Sequence, residues 1–381
     1  MEIPQPLEAL GPIRPITCVE MHTAGEPTRI IWKGIPPLTG TLLEQRAQAK
    51  AQFDEFRRVL MLEPRGHYDM YGAILRPETE LVASGKAHMG VLFMHNEGFS
   101  TMCGHATIAL GRFLVDVDEE VFPRRKELRY DPVSRTTTLN LHVPCGVVEV
   151  TVPTLASGKS DASRPVSFVS VPSFATGISI QIPVPEKYRW AELGGKTSVM
   201  ADFASGGDGP CDEIAQGGAG YQSGSETSHS GYSTAEEGVL YGIMITDTRL
   251  GHISATEGTA AARAQLEASG EETGLYFFAN QQIDRSPTGG CVAARVALAH
   301  AKGSLPAGEK RIYNSLVTRA YRGLSGFVGS VFDDAGTNGA DQRIVRVCVE
   351  GYAYYTGYHS FVVEKEDGIG LDGFSVRDIA L

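Results

Sequence analysis

The chain has 381 residues, of which 42% are hydrophobic and 21% charged, so it can bury a large core and is expected to form two domains rather than one. Its net charge of −11 argues against nucleic acid or an anionic membrane as the main partner, because both favour clustered Lys and Arg. An acidic ligand would need a local positive site, which helix N-termini can supply.

The N-terminus and the cysteines indicate the compartment. The first residues are rich in proline and lack the basic-then-apolar pattern of a signal peptide, and no apolar run approaches the ~18 residues of a membrane helix. The 6 cysteines include no Cys-x-x-Cys pair, which is typical of reduced thiols rather than of disulfides or a zinc site. We expect a soluble, cytoplasmic protein.

The first half of the chain reads mainly as strands. Apolar alternation and turn residues predict the following elements: strands at Ile16–Glu20 and Thr28–Trp32 around a loop at His22–Pro27, a helix over Leu42–Val59, a loop at Met61–His67, strands at Tyr71–Leu75 and Met89–His95, an apolar helix over Ala106–Val115, a strand or hairpin at Leu139–Val152 and two β-rich runs within Val166–Pro183.

The second half begins with a change of composition. Residues 204–238 are rich in Gly, Ser, Asp and Glu and poor in apolar residues, which predicts a mobile insert. Strands are predicted at Val239–Ile245, Leu275–Phe278, Val328–Phe332, Ile344–Val349 and Phe361–Val363, with Gly351–Gly357 as the segment between the last two. A second apolar helix over Val292–Ala301 ends with Lys302 and Gly303, a common stop signal.

Two loops share one sequence pattern. In the Cys103 loop (Met102–His105) and the Asp284 loop (Asp284–Gly290), a small polar side chain is followed by glycine and then by an apolar helix. Helix starts present unpaired N–H groups and the positive end of the dipole, so they bind anions and lower the pKa of a thiol. Two such starts predict two halves that face one anionic ligand.

Other polar residues could suggest a metal. However, the spacing of His22, Glu26, His67 and His359 matches no helical or zinc-type ligand set, and we predict hydrogen-bonded structural residues around a cleft. The chain also shows no phosphate-binding loop, dinucleotide fingerprint or Gly-x-Ser-x-Gly nucleophile motif. We predict neither metal nor cofactor.

The two loops, with His22–Pro27 and the Arg65–His67 loop, resemble the proline racemase family. The resemblance implies an α+β, diaminopimelate-epimerase-like fold, in which two similar halves each wrap strands around a central helix and the active site lies between them. The expected halves are residues 12–182, with 346–381 returning to them, and residues 183–345. Two features depart from the family pattern: Cys291 stands where Gly is more frequent, and the low-complexity stretch at 207–238 replaces an ordered strand and helix.

The resemblance also implies roles for single residues. Cys103 and Thr288 hold the two catalytic positions, and Asp284 would pair with the ring nitrogen of an imino-acid substrate. Backbone N–H groups at Gly104, Gly289 and Gly290 would bind the substrate carboxylate, and His105 would orient substrate or assist a leaving hydroxyl. Each has a structural alternative: a buried thiol, an Asx turn, turn glycines and a helix-start histidine.

Racemisation without a cofactor requires two bases on opposite faces of Cα. A thiol can serve as one, but a threonine hydroxyl cannot, so the Cys103/Thr288 pair argues against racemisation. It resembles the branch of the family that dehydrates trans-3-hydroxy-L-proline, in which one residue can remove the Cα proton and protonate the leaving hydroxyl. Two alternatives stay open: a racemase or 4-hydroxyproline 2-epimerase with Cys291 as second base, and a ligand-binding relative without turnover. A homodimer is compatible with the sequence.

Overall fold

The computed structural model describes residues 15–183, 198–205, 242–247, 268–278, 282–337 and 343–379. The strands are β1 Ile16–Thr23, β2 Glu26–Lys33, β3 Tyr71–Arg76, β4 Met89–His95, β5 Tyr130–Asp131, β6 Thr136–Val143, β7 Gly146–Pro153, β8 Val166–Val169, β9 Ser173–Pro183, β10 Ser198–Ser205, β11 Gly242–Asp247, β12 Ala268–Phe278, β13 Gln282–Ile283, β14 Lys310–Asn314, β15 Phe327–Thr337, β16 Arg343–Gly351 and β17 Ala353–Phe361. The helices are α1 Leu42–Gln52, α2 Asp54–Met61, α3 Glu80–Ala83, α4 Gly104–Asp116, α5 Gly289–Ala301 and α6 Leu316–Ala320.

Strand pairing divides into two groups that meet at β16. In the first, β1 pairs with β2 and β17, β2 runs parallel to β3, and β3, β4, β6, β7 and β8 follow in turn. In the second, β10 pairs with β9, while β11, β12, β14 and β15 are neighbours in that order. Strand β16 pairs with β15 on one side and with β8 and β9 on the other, so the two groups are continuous.

Helices α4 and α5 are the centres of these groups. Strands β1, β2, β7, β8 and β17 contact α4, and strands β9, β10, β15 and β16 contact α5. Both helices contribute to one buried apolar cluster, with Ile108 and Phe113 from α4 and Val292 and Val296 from α5. This explains why both sequences are apolar nearly all round: protein surrounds them on most sides. The domain borders at 182/183 and 345/346 stay a prediction.

The predicted helix over Leu42–Val59 is wrong as a single element. The chain leaves helical geometry at Phe53 (φ −136°, ψ 28°), so that α1 ends there and α2 begins at the next residue. The break turns the chain and allows both Phe53 and Phe56 to pack against a second apolar cluster, which includes Leu42 and Leu60. Tertiary packing therefore overrides a local periodicity that would suit one straight helix.

The end of the chain also differs from the prediction. Residues 353–357 are not a connector but the first part of β17, and Phe361 is its last residue rather than the start of a strand. Gly357 pairs with Glu20 at a shift in the β1–β17 register, and glycine inside a strand often marks such an irregularity. Strand β14 was not predicted. The predicted insert at 204–238 lies outside the described residues, except for 204 and 205 at the end of β10. No helix in the described ranges has the length and apolar character to cross a membrane.

Candidate active site

The starts of α4 and α5 meet backbone to backbone. A Cβ added to Gly104 would lie 2.5 Å from Gly289 Cα, and one added to Gly289 would lie 2.6 Å from Gly104 Cα. Only glycine permits this approach. Cys103 is the N-cap of α4 and Thr288 is the N-cap of α5, so the two predicted catalytic loops converge at one place.

Cys103 lies in a buried aromatic and imidazole environment. Its Sγ is 3.3 Å from His105 Nδ1, and it also accepts hydrogen bonds from the Ala106 N–H group and the Tyr71 side chain. The Tyr71 ring meets the His105 ring edge-on at 4.9 Å, and the Tyr71 hydroxyl also bonds to Ser100. The sequence analysis missed Tyr71 because it lies in an ordinary apolar strand, β3, and no local motif marks it.

Burial controls protonation at this end of the site. It raises the pKa of the Cys103 thiol well above its usual range, and the charges of Asp284 and Glu26 act in the same direction, against the hydrogen bonds from Ala106 and Tyr71. At this position burial outweighs the lowering effect of the helix start on the pKa of the thiol. Burial also lowers the pKa of His105, which leaves the imidazole neutral.

Asp284 organises the second loop. Its Oδ1 accepts a hydrogen bond from the Ser286 N–H group at 2.7 Å, and its Oδ2 accepts one from Thr288 Oγ1 at 2.6 Å. Asp284 is almost fully buried. Its hydrogen bond to the Ser286 N–H group forms the predicted Asx turn, and this turn is also compatible with a role in substrate binding. Thr288 has a φ of +62°, which is unfavourable for a β-branched residue and is typical of functional loops.

Glu26, which the sequence analysis treated as structural, contacts the Asp284 loop. Its side chain is fully buried, and its Oε2 accepts a hydrogen bond from the Arg285 N–H group at 2.8 Å. The Arg285 side chain in turn bonds to Asp69 Oδ2 at 2.8 Å. Next to Glu26 in the same turn, Thr23 Oγ1 donates to the carbonyl of His105 at 3.0 Å.

The other predicted residues lie near or outside this centre. Gly290 and Cys291 follow Gly289 in the first turn of α5 and are partly exposed. His22 and His67 each accept a hydrogen bond from a backbone N–H group nearby, at 3.2 Å. Within the part of the chain that the structure describes, no three His, Cys, Asp or Glu side chains gather as metal ligands.

Comparison with known proteins gives consistent matches over nearly the whole chain. The family model for proline racemase matches residues 18–375. The human protein named trans-3-hydroxy-L-proline dehydratase is 37% identical over 392 residues, which cover 95% of each chain. A Burkholderia multivorans protein named 3-hydroxyproline 2-epimerase is 32% identical over 375 residues, which cover 96% of this chain and 99% of the relative.

Solved structures agree on the fold. The crystal structure of a hydroxyproline epimerase from Agrobacterium vitis, with bound trans-4-hydroxy-L-proline, superposes with a TM-score of 0.66. It covers 96% of both chains at 17% sequence identity. The predicted α+β, diaminopimelate-epimerase-like fold is therefore confirmed.

Proposed function

The chain belongs to the proline racemase family, and we propose that it dehydrates trans-3-hydroxy-L-proline to Δ1-pyrroline-2-carboxylate without a cofactor. One observation carries this proposal. Of the two helix starts that meet at the site, one presents the thiol of Cys103 and the other the hydroxyl of Thr288, whose proton is donated to Asp284 at 2.6 Å. This hydroxyl is not a base for the second face of Cα.

One thiol is sufficient for dehydration of this substrate. In trans-3-hydroxy-L-proline the hydroxyl and the Cα hydrogen lie on the same ring face, opposite the carboxylate. Cys103 as thiolate takes the Cα proton and returns it to the departing hydroxyl, so that the C–H and C–O bonds break, a C=C bond forms and water leaves. The resulting enamine tautomerises to the cyclic imine.

Helix starts and Asp284 would hold the substrate in this orientation. The N–H groups at Gly104, Gly289 and Gly290 lie at the positive ends of α4 and α5, which suits the substrate carboxylate. Asp284 would pair with the positively charged ring nitrogen. Thr288, held by its hydrogen bond to Asp284, would close the ring face opposite Cys103.

We propose that substrate binding helps the buried thiol of Cys103 to lose its proton. Burial is the main cause of the raised pKa of this thiol, and the negative charges of Asp284 and Glu26 add to it. A cationic ring nitrogen bound beside Asp284 would oppose the rise by favouring the thiolate. His105 is neutral and its Nδ1 lies 3.3 Å from Cys103 Sγ, so it is the neighbouring base that can receive the thiol proton.

A 3-hydroxyproline 2-epimerase is the second candidate, because the Burkholderia multivorans relative carries that name and Cys291 offers a further thiol in the first turn of α5. Epimerisation would invert Cα and retain the hydroxyl. A ligand-binding relative without turnover would be stabilised by the imino acid and form no product. The three functions therefore differ in their products.

The deciding experiment incubates purified protein with trans-3-hydroxy-L-proline in D₂O and follows the ring protons by NMR, with L-proline and trans-4-hydroxy-L-proline in parallel. We expect conversion of the 3-hydroxy substrate to the imine and no change in the other two. Deuterium at Cα with inversion and no loss of water would refute the dehydratase and favour the epimerase. Unchanged substrate would favour the ligand-binding relative.

The proposal also includes a cellular location and an oligomeric state. None of the cysteines in the described ranges forms a disulfide, which supports a cytoplasmic location. A homodimer stays a prediction that light scattering would test.

A further inference from the structure

Tyr71 contacts two buried imidazole rings beside the Cys103 loop. Its ring stacks on that of His95, its partner across β3 and β4, with ring centroids 5.6 Å apart. It also meets the ring of His105 at an angle of 78°, with centroids 4.9 Å apart. Burial lowers the pKa of both imidazoles, that of His95 to about 3, so both rings are neutral near pH 7. The phenol ring is therefore fixed in orientation by neutral neighbours.

The hydroxyl group of Tyr71 takes part in two hydrogen bonds. It donates one to the Cys103 side chain, and it shares the other with the hydroxyl of Ser100, which is 1% exposed. A tyrosine hydroxyl has a single proton, so a proton that is directed to the sulfur leaves only an acceptor for Ser100. Ser100 is therefore the donor in its bond to Tyr71. The three side chains form a chain of hydrogen bonds that runs from Ser100 through Tyr71 to Cys103.

This chain of donors suits a sulfur atom that becomes negatively charged. A neutral thiol is a weak acceptor, whereas a hydrogen bond to an ionised group is about twice as strong as one between neutral groups. Hydrogen bonds in series polarise one another, so the Ser100 donor strengthens the donor of Tyr71. The chain therefore stabilises the thiolate of Cys103 more than its thiol, at a position where burial opposes the charge.

Tyr71 differs in origin from the other donor to this sulfur. The Ala106 N–H group belongs to the first turn of α4, and every helix start offers such groups. Tyr71 comes from β3 and lies far from Cys103 in the sequence. The fold thus adds a side-chain donor to what the helix start supplies by itself.

We propose that the Tyr71 hydroxyl is a catalytic hydrogen-bond donor to the Cys103 thiolate and that Ser100 is the residue that positions and polarises it. The inference rests on the proposed function in taking Cys103 as the acid/base residue. Cys103 is a thiolate before it removes the Cα proton and again after it protonates the leaving hydroxyl. A donor to the thiolate therefore increases the fraction of protein that is ready to react, and it makes the thiol a stronger acid for the second step.

Alkylation of Cys103 by iodoacetamide tests the proposal without substrate or turnover, because the thiolate is the reactive form of a cysteine. Mass spectrometry of the Cys103 peptide follows the rate between pH 7 and pH 9.5 in the unchanged protein and in Tyr71→Phe. Loss of a hydrogen bond to an ion should reduce the thiolate population about tenfold or more, and the higher nucleophilicity of a more basic thiolate offsets about half of this on a logarithmic scale. We therefore expect Tyr71→Phe to react about threefold to tenfold more slowly at pH 8. Equal rates across this pH range would overturn the proposal.

Tyr313→Phe is the matched control. Tyr313 also lies in a strand, β14, and is 4% exposed, but its hydroxyl has no hydrogen-bond partner among the described residues. This variant should alkylate at Cys103 like the unchanged protein. A slowing equal to that of Tyr71→Phe would show that loss of any buried tyrosine hydroxyl has this effect, and would overturn the proposal.

Ser100→Ala tests the second link of the chain. We expect it to slow alkylation of Cys103 less than Tyr71→Phe does, and to have no further effect in a protein that already carries Tyr71→Phe. An unchanged rate in Ser100→Ala, or an equal slowing in both backgrounds, would refute its action through Tyr71. The double variant removes both hydroxyls of the pair, so it leaves neither of them unpaired and is expected to fold even if a single variant does not.

Two further readouts separate this proposal from the proposed function. If iodoacetamide does not reach the buried sulfur, ultraviolet absorption of the thiolate gives the titration, with each protein compared with its own Cys103→Ser form. An unchanged titration in Tyr71→Phe then overturns the proposal. Imine formation is assayed separately, and we expect kcat of Tyr71→Phe to fall about tenfold with little change in KM. Absence of imine in the unchanged protein, with the expected shift in alkylation, would refute the dehydratase and not the hydrogen-bond chain.

Discussion

Cys103 is a residue at which burial outweighs a helix dipole. A helix N-terminus stabilises a neighbouring anion by about 0.3 to 2 kcal/mol, whereas burying an ionised group costs several kcal/mol. Burial therefore raises the pKa of the thiol, and the charges of Asp284 and Glu26 add to the effect. If Cys103 is the catalytic base, as proposed, we expect its thiolate to form in the complex with substrate rather than through the helix start alone.

Replacing the thiol with a hydroxyl tests its role directly. We expect Cys103→Ser to lower the rate of dehydration by at least about a hundredfold, because a serine hydroxyl is a far weaker acid and a proton-transfer group contributes about 10²–10⁴ in rate. Imine formation from trans-3-hydroxy-L-proline measures this. The melting temperature should stay close to that of the unchanged protein, and near-normal turnover would refute the assignment.

Thr288 offers the complementary test on the opposite ring face. We expect Thr288→Cys to fold well, since an unbranched side chain relieves the strain at a φ of +62°, and to introduce exchange of the Cα proton of L-proline with D₂O. NMR follows the loss of the Cα signal. Thr288→Ser, which keeps a hydroxyl donor for Asp284, is the control and should show no exchange. A Thr288→Cys protein that shows no exchange would count against the placement of residue 288 at the second face of the ring.

At the scale of elements, the contact between the starts of α4 and α5 sets the geometry of the site. The helices approach so closely that a methyl group on Gly104 would lie 2.5 Å from the backbone of Gly289, closer than atoms can approach without a shift. The N-termini of the two helices, each with unpaired N–H groups, are therefore adjacent. The distance between the two helix N-termini decides whether one carboxylate can contact both of them.

Gly104→Ala should separate the two helix starts. We expect a loss of about 1–3 kcal/mol in the free energy of unfolding and a fall of about a hundredfold in kcat/KM, because overpacking strains the backbone and small misplacements are costly in catalysis. Urea unfolding and the imine assay measure these. Gly368→Ala is the control, since no atom lies within 4 Å of its added Cβ, and it should change neither quantity. Full activity of Gly104→Ala would show that the close approach is not needed.

At the scale of the molecule, the two central helices share one apolar core. Strand β16 pairs with strands on both sides, and Arg285 contacts Glu26 and Asp69, which come from the other end of the chain. The two helix starts therefore belong to one continuous structure. We expect a change in a distant part of this core to alter the stability of the whole molecule.

The buried thiol of Cys18 provides a test by pH. Burial raises its pKa to about 12, so the unfolded chain loses this proton above about pH 9 while the folded protein keeps it. The stabilisation is complete below pH 9 and is lost as pH rises towards 12. We expect this one group to cost about 2 kcal/mol of folding free energy between pH 8 and pH 10.5.

Urea unfolding of Cys18→Ala at pH 8 and pH 10.5 measures that contribution. The variant should have a lower free energy of unfolding than the unchanged protein at pH 8. Between pH 8 and pH 10.5 its free energy of unfolding should fall by about 2 kcal/mol less than that of the unchanged protein. Ile31→Val is the control, because Ile31 pairs with Cys18 across β1 and β2 and does not titrate. It should lose a similar amount of stability at both pH values. An alkaline decline in Cys18→Ala equal to that of the unchanged protein would refute the prediction.

The sequence by itself determined the local features: most strands, two apolar helices and the two polar-then-glycine helix starts at Cys103 and Thr288. These follow from apolar periodicity and from residues that begin or end helices, which act between close neighbours in the chain. The family resemblance added the fold, which the comparison with solved structures confirmed. The roles of the site residues stay a prediction.

Only the tertiary structure decided which distant residues meet at the site. Tyr71 and Glu26 contact the catalytic loops without any local motif. The pKa of Cys103 depends on burial and on the charges of Asp284 and Glu26, which are far apart in sequence. The same reason explains the helix break at Phe53 and the inclusion of Gly357 in β17. Packing and strand pairing join segments far apart in sequence, and their free energies exceed the local preferences from which the elements were predicted.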